Sequence, residues 1–138
     1  MSLVLDSSAT LAWIYSDEVA EGVRRLFDTV AETGAFVPAL WRLEGANSLN
    51  IAVRRGRIDV EFRRAALDDL ALLDITSDNQ TDTHAWAETV RLADRFRLTM
   101  YDAAYLELAH RRGVPLATLD EDLSGAGLAL GLRVLGGE

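Results

Sequence analysis

The sequence contains no cysteine. This excludes a disulfide framework and thiolate zinc sites, and leaves oxygen atoms as the ligands for any metal the chain binds. Lysine is absent too, so that all 14 basic residues are arginine. A genome that favours Arg codons explains the bias plainly, but its chemical consequence stands: no mechanism that depends on a catalytic lysine is open here. Long apolar runs are also missing. None approaches the roughly 20 residues needed to span a bilayer, and Met1-Ser2 leads straight into a strand-like run with no basic or apolar leader segment, so a cytoplasmic protein is expected. Positive charge is scarce, with 22 acidic residues and a formal net charge of −8. A protein that coats nucleic acid through a global positive field is thereby disfavoured, while a local contact stays open. No repeat, linker or low-complexity segment interrupts the chain.

What is present suits a soluble globular protein: 138 residues, 49% hydrophobic and 26% charged, enough for one domain over 1–138 with its own core. Leu3-Val4-Leu5 reads as a first strand, and Asp6-Ser7-Ser8 as the capping signal of a helix through Tyr15. Ser16-Asp17-Glu18 opens a second helix with apolar positions Val19, Val23, Leu26, Phe27 and Val30, stopped at Gly34. Ala35-Phe36-Val37 is the next strand, and a Leu-, Trp- and Ala-rich helix runs from Ala39 to Arg55. Further helices are expected over Ile58 to Leu72, Asp82 to Phe96, Tyr101 to Arg112 and Asp120 to Leu128. Strands are expected at Leu73-Asp74-Ile75, Pro115 to Leu119 and Leu132 to Leu135. Strands alternating with helices of this length predict an α/β fold, a mainly parallel sheet covered on both faces.

Against this background four acidic residues are out of place. Asp6 follows Leu3-Val4-Leu5, Glu44 sits in Leu43-Glu44-Gly45-Ala46-Asn47, Asp102 in Tyr101-Asp102-Ala103-Ala104-Tyr105, and Asp120 ends Leu116-Ala117-Thr118-Leu119-Asp120. A carboxylate in apolar surroundings must be neutralised, paired or bound to metal. Asp6 and Asp120 fall just past strands, where ligands bind in open α/β sheets, and Glu44 and Asp102 fall in the first turns of helices that start at the same edge. Glu44, Asn47 and Ser48 make a polar stripe on one helix face. With no lysine, with His84 and His110 outside all four segments, and with Arg42 the nearest basic residue to any of them, a hard divalent cation is the economical counter-charge. Mg²⁺ or Mn²⁺ held by such a set keeps waters and suits phosphate oxygens, so the chemistry favoured is phosphodiester hydrolysis, with Asp6 and Asp102 as principal ligands and Glu44 and Asp120 completing the set.

Taken in order and at these separations, the four segments resemble the PIN-domain ribonucleases, in particular the compact VapC-type toxins of toxin and antitoxin pairs; the longest match is Leu98 to Leu106. The resemblance covers almost the whole chain. It implies a three-layer α/β/α sandwich, Mg²⁺ or Mn²⁺ bound by the acidic cluster, endonucleolytic cleavage of RNA, a homodimer, and a small antitoxin that occludes the site. Asp122, two residues beyond Asp120, could share its role, and Arg54, Arg55 and Arg57 are candidate phosphate contacts.

Plainer roles exist for each residue. Asp6, Asp102 and Asp120 could cap helices, Glu44 could complement a helix dipole, and Ser7, Ser8 and Thr118 read as capping or turn hydroxyls that at best stand behind the ligands. Trp13, Trp41, Trp86, Tyr101 and Tyr105 read as core or dimer contacts, and the two histidines as surface residues. Receiver-like and dehalogenase-like domains also place Asp after the first strand, but both use a lysine. Two alternatives remain, a housekeeping PIN nuclease and a non-catalytic module whose acidic crevice binds an Arg-rich peptide.

Overall fold

The computed structural model describes residues 2–15 and 20–137. In chain order the elements are β1 (Val4–Leu5), α1 (Ser7–Tyr15), α2 (Glu21–Thr33), β2 (Ala35–Val37), α3 (Trp41–Arg54), α4 (Val60–Ala71) and β3 (Ile75–Ser77). They continue with α5 (Thr81–Ala85), α6 (Glu88–Phe96), α7 (Met100–Arg112), β4 (Leu116–Ala117), α8 (Glu121–Ala129) and β5 (Val134–Leu135). All strand pairings are parallel, in the order β3-β2-β1-β4-β5. The chain winds outward from β1 to β3, then returns past β1 to β4 and β5. Right-handed crossovers therefore put α1 to α4 on one face of the sheet and α5 to α8 on the other, which is the three-layer sandwich expected. Contacts follow that division: α1 meets α2 and α3, α3 meets α4, and α7 meets α5, α6 and α8.

The central strands β1 and β4 are apolar and buried, whereas on the outer strands Thr76 and Ser77 of β3 are exposed and Val134 and Leu135 of β5 are half-buried. Leu3, Val4 and Leu5 are buried, as are Leu116 and Ala117 beside them. On α2, Val23, Leu26, Phe27 and Val30 fall at i, i+3, i+4 and i+7 and form its buried stripe, with the ring of Phe27 stacked on Trp13 of α1 at 4.5 Å. Helix α7 is different: Ala103 through Ala109 are all buried, so it runs through the core with hardly a solvent face. Thr99 caps it, accepting the Asp102 N–H at 3.1 Å, and Gly113 ends it in the left-handed conformation.

Two expected elements are displaced. The third strand begins two residues later than Leu73, because Leu72 and Leu73 donate back to Asp69 and Leu70 and prolong the turn of α4. The single helix expected over 82–96 is two, since Ala87 leaves helical dihedrals. The Thr81 hydroxyl ties α5 to the Asp78 carbonyl oxygen and Ala39, while both α5 and α6 meet α7. The expected opening of the second helix at Ser16-Asp17-Glu18, with Val19, lies outside the described residues. Among the described residues no helix is long and apolar enough to cross a membrane.

Gly34 joins α2 to β2 at φ +74°, ψ −177°, and a Cβ there would stand 2.9 Å from the Asp74 carbonyl oxygen. That backbone region is nearly reserved for glycine, and the neighbour is main chain that cannot step aside. Gly56 also has positive φ, +70°, but a Cβ there meets nothing within 4 Å. Gly34→Ala should cost about 3 kcal/mol or more and Gly56→Ala about 1–2 kcal/mol. Urea denaturation of both variants measures the difference, and equal losses would remove the role given to the Asp74 contact.

Candidate acidic site at the carboxyl edge of the sheet

The return from β3 to β4 makes the boundary between β1 and β4 the switch point of the sheet. Asp6 directly follows β1 and Asp120 lies three residues beyond β4. The N–H of Asp6 donates to the Ala117 carbonyl at 3.0 Å, which locks the two strand ends together. Glu44 occupies the first turn of α3 and Asp102 that of α7, both entering from the same edge.

The structure brings the four together. Asp102 responds to all of them: its carboxyl is pushed up to about 6, first by burial and then by the charges of Asp6, Asp120 and Glu44. Asp6 is only 3% exposed, and burial raises its pKa against the lowering effect of its hydrogen bonds. Those bonds come from hydroxyls. Ser8 Oγ donates to Asp6 Oδ2 at 2.7 Å and Thr118 Oγ1 to the same oxygen at 2.5 Å. Thr118 Oγ1 also accepts the Asp120 N–H at 3.0 Å, and Ser8 Oγ accepts the Leu119 N–H at 2.9 Å. These bridges tie the turn after β1 to the turn after β4. Glu44 Oε1 accepts from Ser7 Oγ at 3.0 Å and from the Tyr105 hydroxyl at 2.5 Å.

Some plainer roles hold beside this and some do not. Asp120 caps α8, accepting from the Leu123 N–H at 3.0 Å. Asp102 is not the cap of α7, since Thr99 takes that role. Tyr105 and Trp41 are buried, whereas Trp86 at 94% exposure and Tyr101 at 63% stand outside the core. Asp122 is exposed on the first turn of α8. Arg54 lies ten residues beyond Glu44, at the far end of α3, roughly 15 Å along the axis, with Arg55 and Arg57 beyond it, so the Arg trio is not part of the acidic site. Arg42 lies over the Trp41 ring at 5.7 Å, and no ion pair joins it to Glu44.

A second set of buried acids is paired with a cation. Asp78 and Glu107, 3% and 4% exposed, both bind Arg111, with Nη2 to Asp78 Oδ2 at 2.6 Å and Nε to Glu107 Oε2 at 2.7 Å. Burial works to raise the Asp78 carboxyl, but the Arg111 hydrogen bond and charge outweigh it and hold the group below its ordinary value. Sequence reading passed over this trio, although Glu107 between Leu106 and Leu108, with Arg111 four residues on, carries the signal of a buried helical ion pair. The sequence places Ser7 at best behind the ligands without linking it to Glu44, and gives no sign of Tyr105 as its partner. No spacing rule links α3 to α7, so only the assembled fold shows them.

The donor set at the edge consists of carboxylates with hydroxyls behind them and no arginine or lysine among the described neighbours that raise Asp102. Two unit charges about 4 Å apart at an effective dielectric near 20 repel by roughly 4 kcal/mol, so such a set calls for a cation. Among the described residues no three acidic or imidazole groups stand close enough to hold one ion directly between them. The set fits a hard divalent ion taken by one or two carboxylates with water completing its shell, which is the habit of Mg²⁺. A cavity of about 600 Å³ lined by Leu3, Arg25, Leu26, Pro115 and Arg133 holds none of the four acids.

The sequence profile of the PIN domain matches residues 3–127. The chain is 31% identical over 128 residues to ribonuclease VapC3 of Pyrobaculum aerophilum, covering 90% of this chain and 93% of that one. Its fold superposes on the crystal structure of PAE2754 from Pyrobaculum aerophilum with a TM-score of 0.65 at 24% identity, over 91% of this chain and 87% of that one. It also superposes on VapC20 of Mycobacterium tuberculosis, a sarcin-ricin loop cleaving toxin, with a TM-score of 0.64 at 18% identity, over 91% of this chain and 95% of that one.

The raised Asp102 pKa has a definite sign. Below pH 3.8 the group is protonated whether folded or not; between 3.8 and about 6 the folded protein keeps a proton that the unfolded chain has lost, so stability falls as pH rises. In metal-free buffer Asp102→Asn should therefore be more stable than the wild type at pH 7.5, by about 1 kcal/mol after allowance for solvent screening, and the gain should vanish near pH 3.5. Chemical denaturation at the two pH values measures it, and a variant less stable at pH 7.5 would contradict the repulsion.

Proposed function

We propose, from the premise that the chain belongs to the PIN-domain family, that residues 1–138 form one nuclease domain that cleaves RNA as the toxin of a toxin and antitoxin pair. Asp6, Glu44, Asp102 and Asp120 are its catalytic and metal-holding residues. The observation that carries this reading is the contrast between two sets of acids, one paired with Arg111 and the other gathered at the switch point with no such partner, where burial and then the charges of Asp6, Asp120 and Glu44 raise the Asp102 carboxyl. A structural role for the second set would not leave it without a counter-charge.

When bound, Mg²⁺ or Mn²⁺ supplies Lewis acidity toward a phosphodiester and a source of nucleophilic water near neutral pH. The chain's own residues do the rest. Asp6, held by Ser8 and Thr118 at the fixed end of β1, and Asp102, in the first turn of α7, are the principal ligands. Glu44 and Asp120 complete the set directly or through water, and a carboxylate among them accepts the proton of the attacking water. The net charge of −8 would be less of a barrier to RNA with a divalent ion held by these carboxylates, since it would offset part of their charge where a phosphate would sit.

Relatives named ribonuclease VapC3 support RNA as substrate and a toxin role. The same reading carries with it a cytoplasmic homodimer and a cognate antitoxin protein. Asp6→Asn removes a ligand charge at constant size, and Asn keeps a carbonyl to accept from Ser8 and Thr118. Cleavage of RNA in Mn²⁺ should fall by about 100-fold or more while the circular dichroism spectrum is unchanged. Wild-type activity in that variant would remove Asp6 from the site. Expression of the chain alone should arrest growth, and coexpression of an adjacent small gene should restore it; normal growth with soluble, RNA-cleaving protein would favour the housekeeping nuclease.

A further inference from the structure

Glu44 uses its two oxygens unequally. Oε1 accepts two hydroxyl hydrogens, from Tyr105 at 2.5 Å and from Ser7 at 3.0 Å, and those two hydroxyls lie 3.1 Å from each other. No hydrogen bond to Oε2 is made by the described residues. One carboxylate oxygen is thus saturated by the protein and the other is available.

The three residues come from separate elements. Tyr105 stands on α7 one turn beyond Asp102, Ser7 opens α1 directly after Asp6, and Glu44 belongs to α3. Tyr105 is fully buried, and only its hydroxyl is polar. A phenylalanine would fill the same space without requiring a buried hydroxyl to be satisfied, so packing does not explain the oxygen. Its partner is a carboxylate, which makes the bond charge-assisted and among the strongest the fold contains.

We infer that Tyr105, together with Ser7, is a positioning residue that clamps Oε1 of Glu44 and leaves Oε2 as the single oxygen this residue presents to a divalent ion. The inference rests on the reading of Glu44 as part of a metal site. It makes Glu44 a fixed, one-oxygen ligand or water acceptor, oriented by the elements that also carry Asp6 and Asp102.

The test is Mn²⁺ affinity, measured by electron paramagnetic resonance of the free ion over the full-length wild type and the variants Tyr105→Phe, Ser7→Ala, Glu44→Gln and Glu44→Gln with Tyr105→Phe. Tyr105→Phe should weaken Mn²⁺ binding about 10-fold, and Ser7→Ala less, through its longer bond. In the Glu44→Gln background Tyr105→Phe should add almost nothing, because Tyr105 acts through Glu44. RNA cleavage by Tyr105→Phe should need more Mn²⁺ for half-saturation yet approach the wild-type rate when saturated. Unchanged affinity in a folded Tyr105→Phe protein, or an equal loss with and without Glu44, would overturn the inference and leave Tyr105 a packing residue. If Tyr105→Phe does not fold, Ser7→Ala against Ser7→Thr carries the test, with the hydroxyl-bearing variant expected to keep wild-type affinity. Wild-type protein that takes up no Mn²⁺ would instead remove the metal reading itself.

Discussion

Repulsion among carboxylates that share one edge of a parallel sheet is the constraint around which this molecule is arranged. Asp6, Glu44, Asp102 and Asp120 come from four different parts of the chain, and burial first and then the charges of the other three push the Asp102 pKa upward. Holding such a set in place costs stability, so what surrounds it must be rigid. Leu3 to Leu5 behind Asp6 and the buried run Ala103 to Ala109 behind Asp102 are among the most deeply buried segments of the chain. The carboxylates thus stand at the ends of elements that have little room to move.

Hydroxyls take the place that cations would have elsewhere. Ser8 and Thr118 satisfy Asp6, and Ser7 and Tyr105 satisfy Glu44, each pair converging on one oxygen. Neutral donors lower the cost of burying a carboxylate without cancelling its charge. An arginine supplies an opposing charge as well, as Arg111 near the end of α7 does for Glu107 on the same helix and Asp78 after β3. One helix therefore carries both solutions: an ion network that fastens its last turns to the loop after β3, and an open charge at its first turn.

Much of the fold was legible from pattern. Short apolar runs alternating with helical periodicity pointed to a parallel sheet, and α2 and α7 fall close to where their stripes and glycine stops place them. The errors were local and have local causes. The third strand slipped by two residues because backbone bonds from Leu72 and Leu73 extend the preceding turn, and 82–96 split at Ala87, with Thr81 tying the first half to Asp78 and Ala39 while both halves meet α7. Burial context also selected too few acids: Glu107 met the same criterion as Asp102 and was passed over.

By itself the sequence determined the chemical inventory: oxygen ligands without thiolates, arginine without lysine, and carboxylates after strands and at helix starts, where strand period and helix phase put them at one edge of an α/β sheet. Only the tertiary structure decided which acids keep their charge uncompensated. Glu107 finds its partner four residues away, but Asp78 meets Arg111 across 33 residues and Glu44 meets Tyr105 across 61. Such pairings depend on how helices cross the sheet and each other, and helix crossing is set by side-chain packing over the whole core. Local spacing places a residue on a face; packing chooses what that face meets.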